Sequence, residues 1–489
     1  MRKIARNFRS ILEIVLIFCI GAILFVQPAN KVQAQNLSIP SAKLTFEIPA
    51  NPSSSIRETY NPETAFAQLA WQAFVALNWP ADCNGLPLTD KKIGQAPGFP
   101  RVWEFYHFPK DIFLPDGRDP VPLRSPVPLT CQTDNNLDIW DLRLTEADGD
   151  RMSLLLADRQ PLVDREGNYI VNEIRINPVE VNQIVQNRWY TADNLLEFNN
   201  TNNLFALACS NAGQDGLYEG KFPCTENQSV GAIEIKAAWK VLPNPILGET
   251  NAVCDIPESR YYKNIRTFQI TSDRSTNGSE IVTVPVGLVG FHISQKTSQQ
   301  GWVWATFEQV DNAPDANNLL TAKNYTLYDR NCRENCQPNT PFAREPYLWR
   351  REFPHAVTRN EMGEIQEQIP SQITRLIPIP AIAQSFNSTW QEKLREVSHS
   401  SVWQYYQLVG IQWLGTPEVP YNPQLRDVQL REGNQPSRLA NTTLESYVQQ
   451  GLPVHPLGES CVACHTQAKL PYPNTETYAD FSYLLNDAQ

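Results

Sequence analysis

The sequence predicts an α+β fold: one large β-rich body with peripheral helices, followed by a C-terminal segment of helix and loop. Three observations point there. A clear helical period stands near the start, at 62–78. The stretch 101–290 is mostly short β-like runs with turn residues between them. The best-patterned pair of runs, 286–296 and 302–310, reads as a long hairpin. The 489 residues are 42% hydrophobic and 19% charged, which is enough apolar material for a sizeable core. Proline outnumbers glycine 38 to 22, and Trp, Tyr and Phe contribute 12, 17 and 20 residues, the profile of a loop-rich body packed with aromatics.

Residues 1–34 read as a secretory signal peptide. Arg2, Lys3, Arg6 and Arg9 form a positive start, 11–26 is an apolar run broken by Glu13, and Val32-Gln33-Ala34 offers a cleavage site. The alternative is an uncleaved anchor through 11–26, although that run is shorter than the roughly 20 residues a membrane span prefers. Cleavage removes five basic residues (Arg2, Lys3, Arg6, Arg9, Lys31) and one acid (Glu13), taking the net charge from −11 to −15. Such a chain suits neither nucleic acid nor an anionic membrane.

Residues 35–60 are polar and Pro/Ser-rich and read as a linker. The helix at 62–78 has Asn61 as N-cap, Pro62 in its first turn and Glu63 on the dipole. Phe66, Leu69, Ala70, Ala73, Phe74 and Leu77 form one apolar face. Within 101–290, the runs 103–106, 153–156 and 233–242 read as strands, and 180–187 as a helix. In the hairpin, His292 shares a face with Gly290 and Ser294, while Val289, Phe291 and Ile293 take the other. After Pro314 the chain is loop-rich to about 385. Thr389 with Glu392 predicts a capped helix to about 408, and Thr442 with Glu445 a second, short one containing Tyr447. The body is therefore placed at 61–385 and the C-terminal segment at 386–489.

Beyond the signal segment there are nine cysteines, which in an exported chain read as disulfides unless other chemistry claims them. Cys332 and Cys336 are close enough for a local bridge. Cys83 and Cys131 can close a loop, and two of Cys209, Cys224 and Cys254 a third. Cys209 follows Leu-Phe-Ala-Leu-Ala and also reads as a buried free thiol.

Cys461 and Cys464 stand apart, in Glu-Ser-Cys-Val-Ala-Cys-His-Thr at 459–466. Cys-x-x-Cys-His is the attachment signature of haem c: each thiol adds across one vinyl group, and the adjacent histidine becomes the proximal iron ligand. At this composition a chance match has a probability of roughly 0.003. A zinc site needs four ligands, and Cys461, Cys464 and His465 supply three unless Cys332 and Cys336 are borrowed. A thioredoxin-type redox pair would sit in a βαβ context, which is missing. No Met or His follows His465. A sixth ligand must therefore come from upstream, from His107, His292, His355, His399, His455, Met152 or Met362, or else the iron is five-coordinate. His292 is the candidate distal ligand, because a hairpin presents it rigidly.

The runs 286–297 and 302–314, Leu-Ala-Asn-Thr-Thr-Leu-Glu-Ser-Tyr at 439–447, Ser-Cys-Val-Ala-Cys-His and Asp-Phe-Ser-Tyr-Leu-Leu at 480–485 resemble a bacterial family of exported single-haem cytochrome c proteins. The likeness runs from about 65 to 485. It implies one covalent haem c on Cys461 and Cys464 with His465 as axial ligand, and no settled substrate. Its matched polar and aromatic set is His292, Lys296, Trp302, Trp304, Glu308, Asp311 and Asn312. Many relatives carry His where this chain has Gln309, which speaks against a ligand role there.

Two functions follow as expectations. The first is an exported c-type cytochrome, in the periplasm or an equivalent lumen, that exchanges electrons with a redox partner protein or a small-molecule donor or acceptor. The second is a haem-dependent oxidoreductase or peroxidase-like enzyme with a pocket in the β-rich body, using His292, Lys296, Glu308 or Asp311 as acid–base groups. No nucleophile–base pair, phosphate loop or second metal motif names a reaction, so enzyme status is open.

Overall fold

The computed structural model describes residues 38–123, 126–131, 139–141, 160–199, 205–209, 229–243, 256–270, 272, 275–276, 278–350, 355–414, 438–450, 460–472 and 477–489. Residues 1–34, read above as a signal peptide, the run 153–156, His455 and Met152 lie outside them. Residues 39–489 form one compact unit.

Two helices open the unit, α1 (Ser54–Thr59) and α2 (Pro62–Leu77). The Asn61 side chain accepts the Thr64 N–H at 2.8 Å, and Pro62 fills the first turn, as its sequence demands. Burial goes further than one apolar face. Every residue from Thr64 to Leu77 except Gln72 is buried, so α2 is a central helix rather than a half-exposed one.

Seven described strands form the main sheet: β1 (Ile139–Asp141), β2 (Val171–Ile176), β3 (Ile233–Val241), β4 (Lys263–Ile270), β5 (Glu280–Thr297), β6 (Gly301–Gln309) and β10 (Tyr406–Trp413). β5 is the spine. Its first half pairs with β4, its second half with β6, and β3 runs along its other edge. β10 closes on β6, and β2 on β3. All these pairs are antiparallel; β1 joins β4 in parallel. Residues 314–385, expected as loops, also hold a small antiparallel sheet of β7 (Leu348–Arg350), β8 (His355–Arg359) and β9 (Ile365–Glu367).

The main sheet has two differently dressed faces. Phe291, Ile293, Val303, Ala305, Phe307, Leu408 and Ile411 join α2 and helix α5 (Ala381–Val397) in the largest core. There Trp71 stacks on Trp390 and Phe74 on Phe307, with ring centroids 5.6 and 4.2 Å apart. On the other face Trp302 and Trp304 meet Val462, Ala468, Phe481, Leu484 and Leu485 of the C-terminal segment, together with α3 (Pro178–Gln186) and α4 (Ala192–Leu195).

Several expectations need correction. At 103–106 the chain makes a 3₁₀ turn, because the Glu104 carboxylate reaches back to the Arg101 N–H at 2.8 Å. α5 begins after Pro380, so Thr389 and Glu392 lie inside it, and its end at Val397 leaves Tyr406 onward to form β10. Tyr406 and Leu408 alternate as a strand requires, and a bulge between Leu408 and Gly410 returns Ile411 to the same face. Val289 does not share a face with Phe291 and Ile293. Ala238 pairs with Gly290 but Trp239 pairs with Leu288, so Val289 is the extra residue of a β-bulge. It turns to a third cluster with Leu444 and Leu327. Residues 441–447 form turns, not a helix.

The bridges Cys83–Cys131 and Cys332–Cys336 are present. Cys209 is disulfide-bonded too, so it is not a free thiol, and its partner lies outside the described residues.

Candidate functional site

Cys461, Val462, Ala463, Cys464 and His465 form one short helix, α6 (Cys461–His465). Two contacts seat it on the sheet. Gln412 of β10 accepts the Val462 N–H through Oε1 at 3.2 Å, and the Val462 side chain is fully buried. Cys461 is half-buried and Cys464 exposed, and both are thiols. The described cysteines elsewhere are all in disulfides.

His465 is held more tightly than the cysteines. Its Nδ1 lies 2.6 Å from the Phe481 carbonyl oxygen. A carbonyl only accepts, so Nδ1 carries the proton and Nε2 keeps a free lone pair. Trp304 and Tyr483 flank the ring at 5.7 and 5.6 Å between centroids. The Tyr483 hydroxyl in turn donates to the Cys464 carbonyl at 2.7 Å. Burial pushes the imidazole down to about 4; the Phe481 carbonyl opposes this, and His292 and Lys236 add to it. The ring is therefore neutral at any ordinary pH, the state a metal ligand needs.

The Cys461 thiol is raised well above the usual range, by burial first and by Glu445 and Cys464 next. Reactive Cys-x-x-Cys pairs have lowered thiols, so a thioredoxin-type role fits poorly. Borrowing Cys332 and Cys336 for zinc is closed, since they are bonded to each other. Among the described residues no group of three or more His, Cys, Asp or Glu side chains is arranged to hold a metal ion. Haem c asks less of the chain: two thiols at this spacing and one oriented imidazole nitrogen. The residues present fit it.

His292 joins this region from β5. It stands opposite Lys236 of β3 and Thr306 of β6, and its Nε2 is 3.4 Å from Glu445 Oε2. Burial alone would raise Glu445, but His292, Lys236 and the Asn441 N–H together hold it below the ordinary range. Glu445 is placed by its turn: its carboxylate accepts the Asn441 N–H at 2.9 Å, and the Asn441 side chain donates to Thr306 Oγ1 at 3.0 Å and to the Phe307 carbonyl at 2.8 Å. Of the described candidates for a distal ligand, His292 is the one whose charge bears on His465. His107 instead bridges to Ile176, His355 lies on β8, His399 follows α5, and Met362 is exposed before β9.

The rest of the matched hairpin set divides in two. Trp304 packs on His465, Trp302 is buried in the same cluster, and Lys296 forms a buried ion pair with Asp480. The others are structural ties. Glu308 accepts from the Thr442 N–H at 3.2 Å, the Thr442 hydroxyl at 2.7 Å and Gln407 at 3.0 Å, and pairs with Arg375. Asp311 is held by Arg260 and Lys323, both at 2.6 Å, and by Gln309 at 3.1 Å. Asn312 donates to the Val289 carbonyl at 2.7 Å, at the bulge. Sequence reasoning missed Glu445, Lys236 and the Phe481 carbonyl. The turn 439–447 was visible as a shared run, but Glu445 looked like a helix cap.

Compared with protein-family models, with curated proteins and with solved structures, the chain gives no match.

Proposed function

We propose that this chain is an exported c-type cytochrome that carries one covalent haem on Cys461 and Cys464, with His465 as proximal ligand, and that it transfers electrons. The observation that carries this is the state of the motif. Two thiols at haem-attachment spacing share a short helix with a neutral imidazole whose Nδ1–H is committed to a backbone carbonyl. Such a hydrogen bond fixes the tautomer and aims Nε2. When bound, the haem supplies one-electron exchange. The chain's own residues do the rest. Trp304 and Tyr483 fix the plane of the imidazole, Gln412 anchors the helix, and exposed Cys464 places one attachment point where a redox partner protein or a small donor or acceptor can approach. The disulfides support an oxidising compartment, the periplasm or its equivalent.

A haem-dependent oxidoreductase is the second reading, favoured by the His292–Glu445 pair beside the motif. In that case the pair handles protons; in the first, His292 is a distal ligand. The test is expression with a haem c maturation system, followed by a pyridine haemochrome spectrum and intact mass. A c-type band and one covalent haem are expected in the wild type and not in Cys461→Ala/Cys464→Ala. Absence of both from the wild type would sink the proposal. A low-spin spectrum that becomes high-spin in His292→Ala supports the carrier; a high-spin wild type that reacts with peroxide supports the enzyme.

A further inference from the structure

Beside the motif, and unused by it, lies a cluster of ionisable groups, three of them buried and one half-buried. Glu180 comes from α3, Glu234 from β3, Lys296 from β5 and Asp480 from the C-terminal segment. Glu180 is 0% exposed, Lys296 1% and Asp480 2%. Among the described residues no N–H or hydroxyl donor reaches either carboxylate oxygen of Glu180. Its carboxyl lies instead within hydrogen-bonding reach of the Glu234 carboxyl. Ionised carboxylates only accept, so the two groups can bond only through a proton. The pair therefore holds one in the folded protein.

The surroundings set which partner keeps it. Burial pushes Glu180 well above the ordinary range; Glu234 and Asp480 add to this and Lys296 opposes it. Burial also raises Glu234, to about 7, against hydrogen bonds from Ser482 and Glu180. Glu180 thus keeps its proton, and Glu234, which is half-buried, is the member that exchanges a second one with solvent.

Three consecutive residues join this cluster to the proximal histidine. Asp480 ion-pairs with Lys296 and accepts the Leu207 N–H at 2.8 Å. The Phe481 carbonyl holds His465 Nδ1. The Ser482 side chain hydrogen-bonds Glu234. Asp480 and Phe481 have φ of 50° and 68°, a left-handed conformation that aspartate tolerates but that is uncommon for a bulky residue such as Phe481. The carbonyl that orients the iron ligand is therefore fixed from both sides by side chains anchored in the proton-holding cluster.

Resting on the haem reading above, we propose that the Glu180–Glu234 pair is a redox-linked proton site. It takes up one proton from solvent as the haem accepts one electron from its donor, and releases it when the electron leaves. An electron added to a haem held by His465 would add negative charge next to the residue that holds the 480–482 segment, and a nearby negative charge favours the protonated carboxyl. Linkage is reciprocal, so protonation of the pair favours reduction. The charged groups facing the pair are Asp480 and Lys296; those facing His465 are His292, Lys236 and Glu445.

The test is a spectroelectrochemical titration of the haem-loaded full chain across pH. The wild-type potential should fall as pH rises through about 7, with a slope approaching about 59 mV per pH unit, the one-electron equivalent of a tenfold change in proton activity. Glu234→Gln should flatten that region while leaving the absorption spectrum unchanged. Equal slopes in the two proteins would overturn the proposal, as would a flat wild-type profile. Should Glu234→Gln fail to fold, a reduced-minus-oxidised infrared spectrum of the wild type decides instead: a carboxylic C=O band gained on reduction is expected, and its absence overturns the proposal. A preparation without haem fails at the absorption spectrum and removes the cytochrome reading together with this one. A haem-loaded protein with a pH-independent potential removes this one alone.

Discussion

At the scale of single residues, the Glu180–Glu234 pair has a consequence that needs no haem. Both groups stay protonated in the fold at pH values where the unfolded chain has released its protons. Between the ordinary carboxyl value of 4.5 and about 7 the native state binds more protons than the unfolded one. The pair's contribution to stability therefore falls as pH rises across that window. Glu180→Gln keeps a donor toward Glu234 and removes one titration. Relative to wild type it should gain roughly 1–3 kcal/mol as pH rises through the window, read as the difference in urea midpoints. A difference that does not change with pH would show that no shared proton is present. The contrast in legibility is instructive. Cys461, Cys464 and His465 stood out because Cys-x-x-Cys-His is a local pattern, complete within five residues. Glu180, Glu234 and Asp480 were not, because they acquire meaning only when α3, β3 and the C-terminal segment meet.

At the scale of elements, α2 and the β5–β6 hairpin were legible for the same reason: cap residues and period-two alternation act within one segment. The elements misjudged were those where a distant partner decided. Thr389 and Glu392 form a sound capping pattern, yet Pro380 starts the helix earlier and pairing with β6 takes the residues that would have extended it. The bulge at Val289 is likewise invisible without β3. Its neighbour Gly290 shows what the packing requires. A Cβ there would collide with Thr443 Oγ1 and press on Ala238 and Leu444 at 3.2 and 3.3 Å. The 441–447 turn can lie on the sheet, and bring Glu445 to His292, only because Gly290 has no side chain. Gly290→Ala should cost about 1–3 kcal/mol and lower haem incorporation, whereas Gly98→Ala, with nothing within 4 Å of the added carbon, should do neither. Thermal melts and haem-to-protein absorbance ratios check both. Equal behaviour of the two variants would mean that the turn is free to move.

At the scale of the whole molecule, the question is what holds together a unit that runs from Ile39 to Gln489. The cores on the two faces of the main sheet are one answer. The disulfides are another, and their contributions should differ by loop length. Cys83–Cys131 spans a separation of 48 residues and joins the loop after α2 to the turn at Leu129–Cys131, whereas Cys332–Cys336 spans 4. If a bridge acts by restricting the unfolded chain, the long loop is worth ~4 kcal/mol and the short one ~2 kcal/mol. Cys83→Ser/Cys131→Ser should therefore shift the denaturant midpoint about twice as far as Cys332→Ser/Cys336→Ser, with little change in the haem spectrum for either. The spectral part matters as much as the energetic part. α6 is seated by Gln412, Val462 and the Phe481 carbonyl, none of which depends on those bridges. If removing Cys83–Cys131 abolished haem attachment while the protein still folded, the bridge would be needed to hold the motif for maturation, because the double variant leaves no thiol of its own to compete for Cys461 or Cys464. If attachment survives, the fold keeps the two kinds of cysteine chemistry apart by position alone.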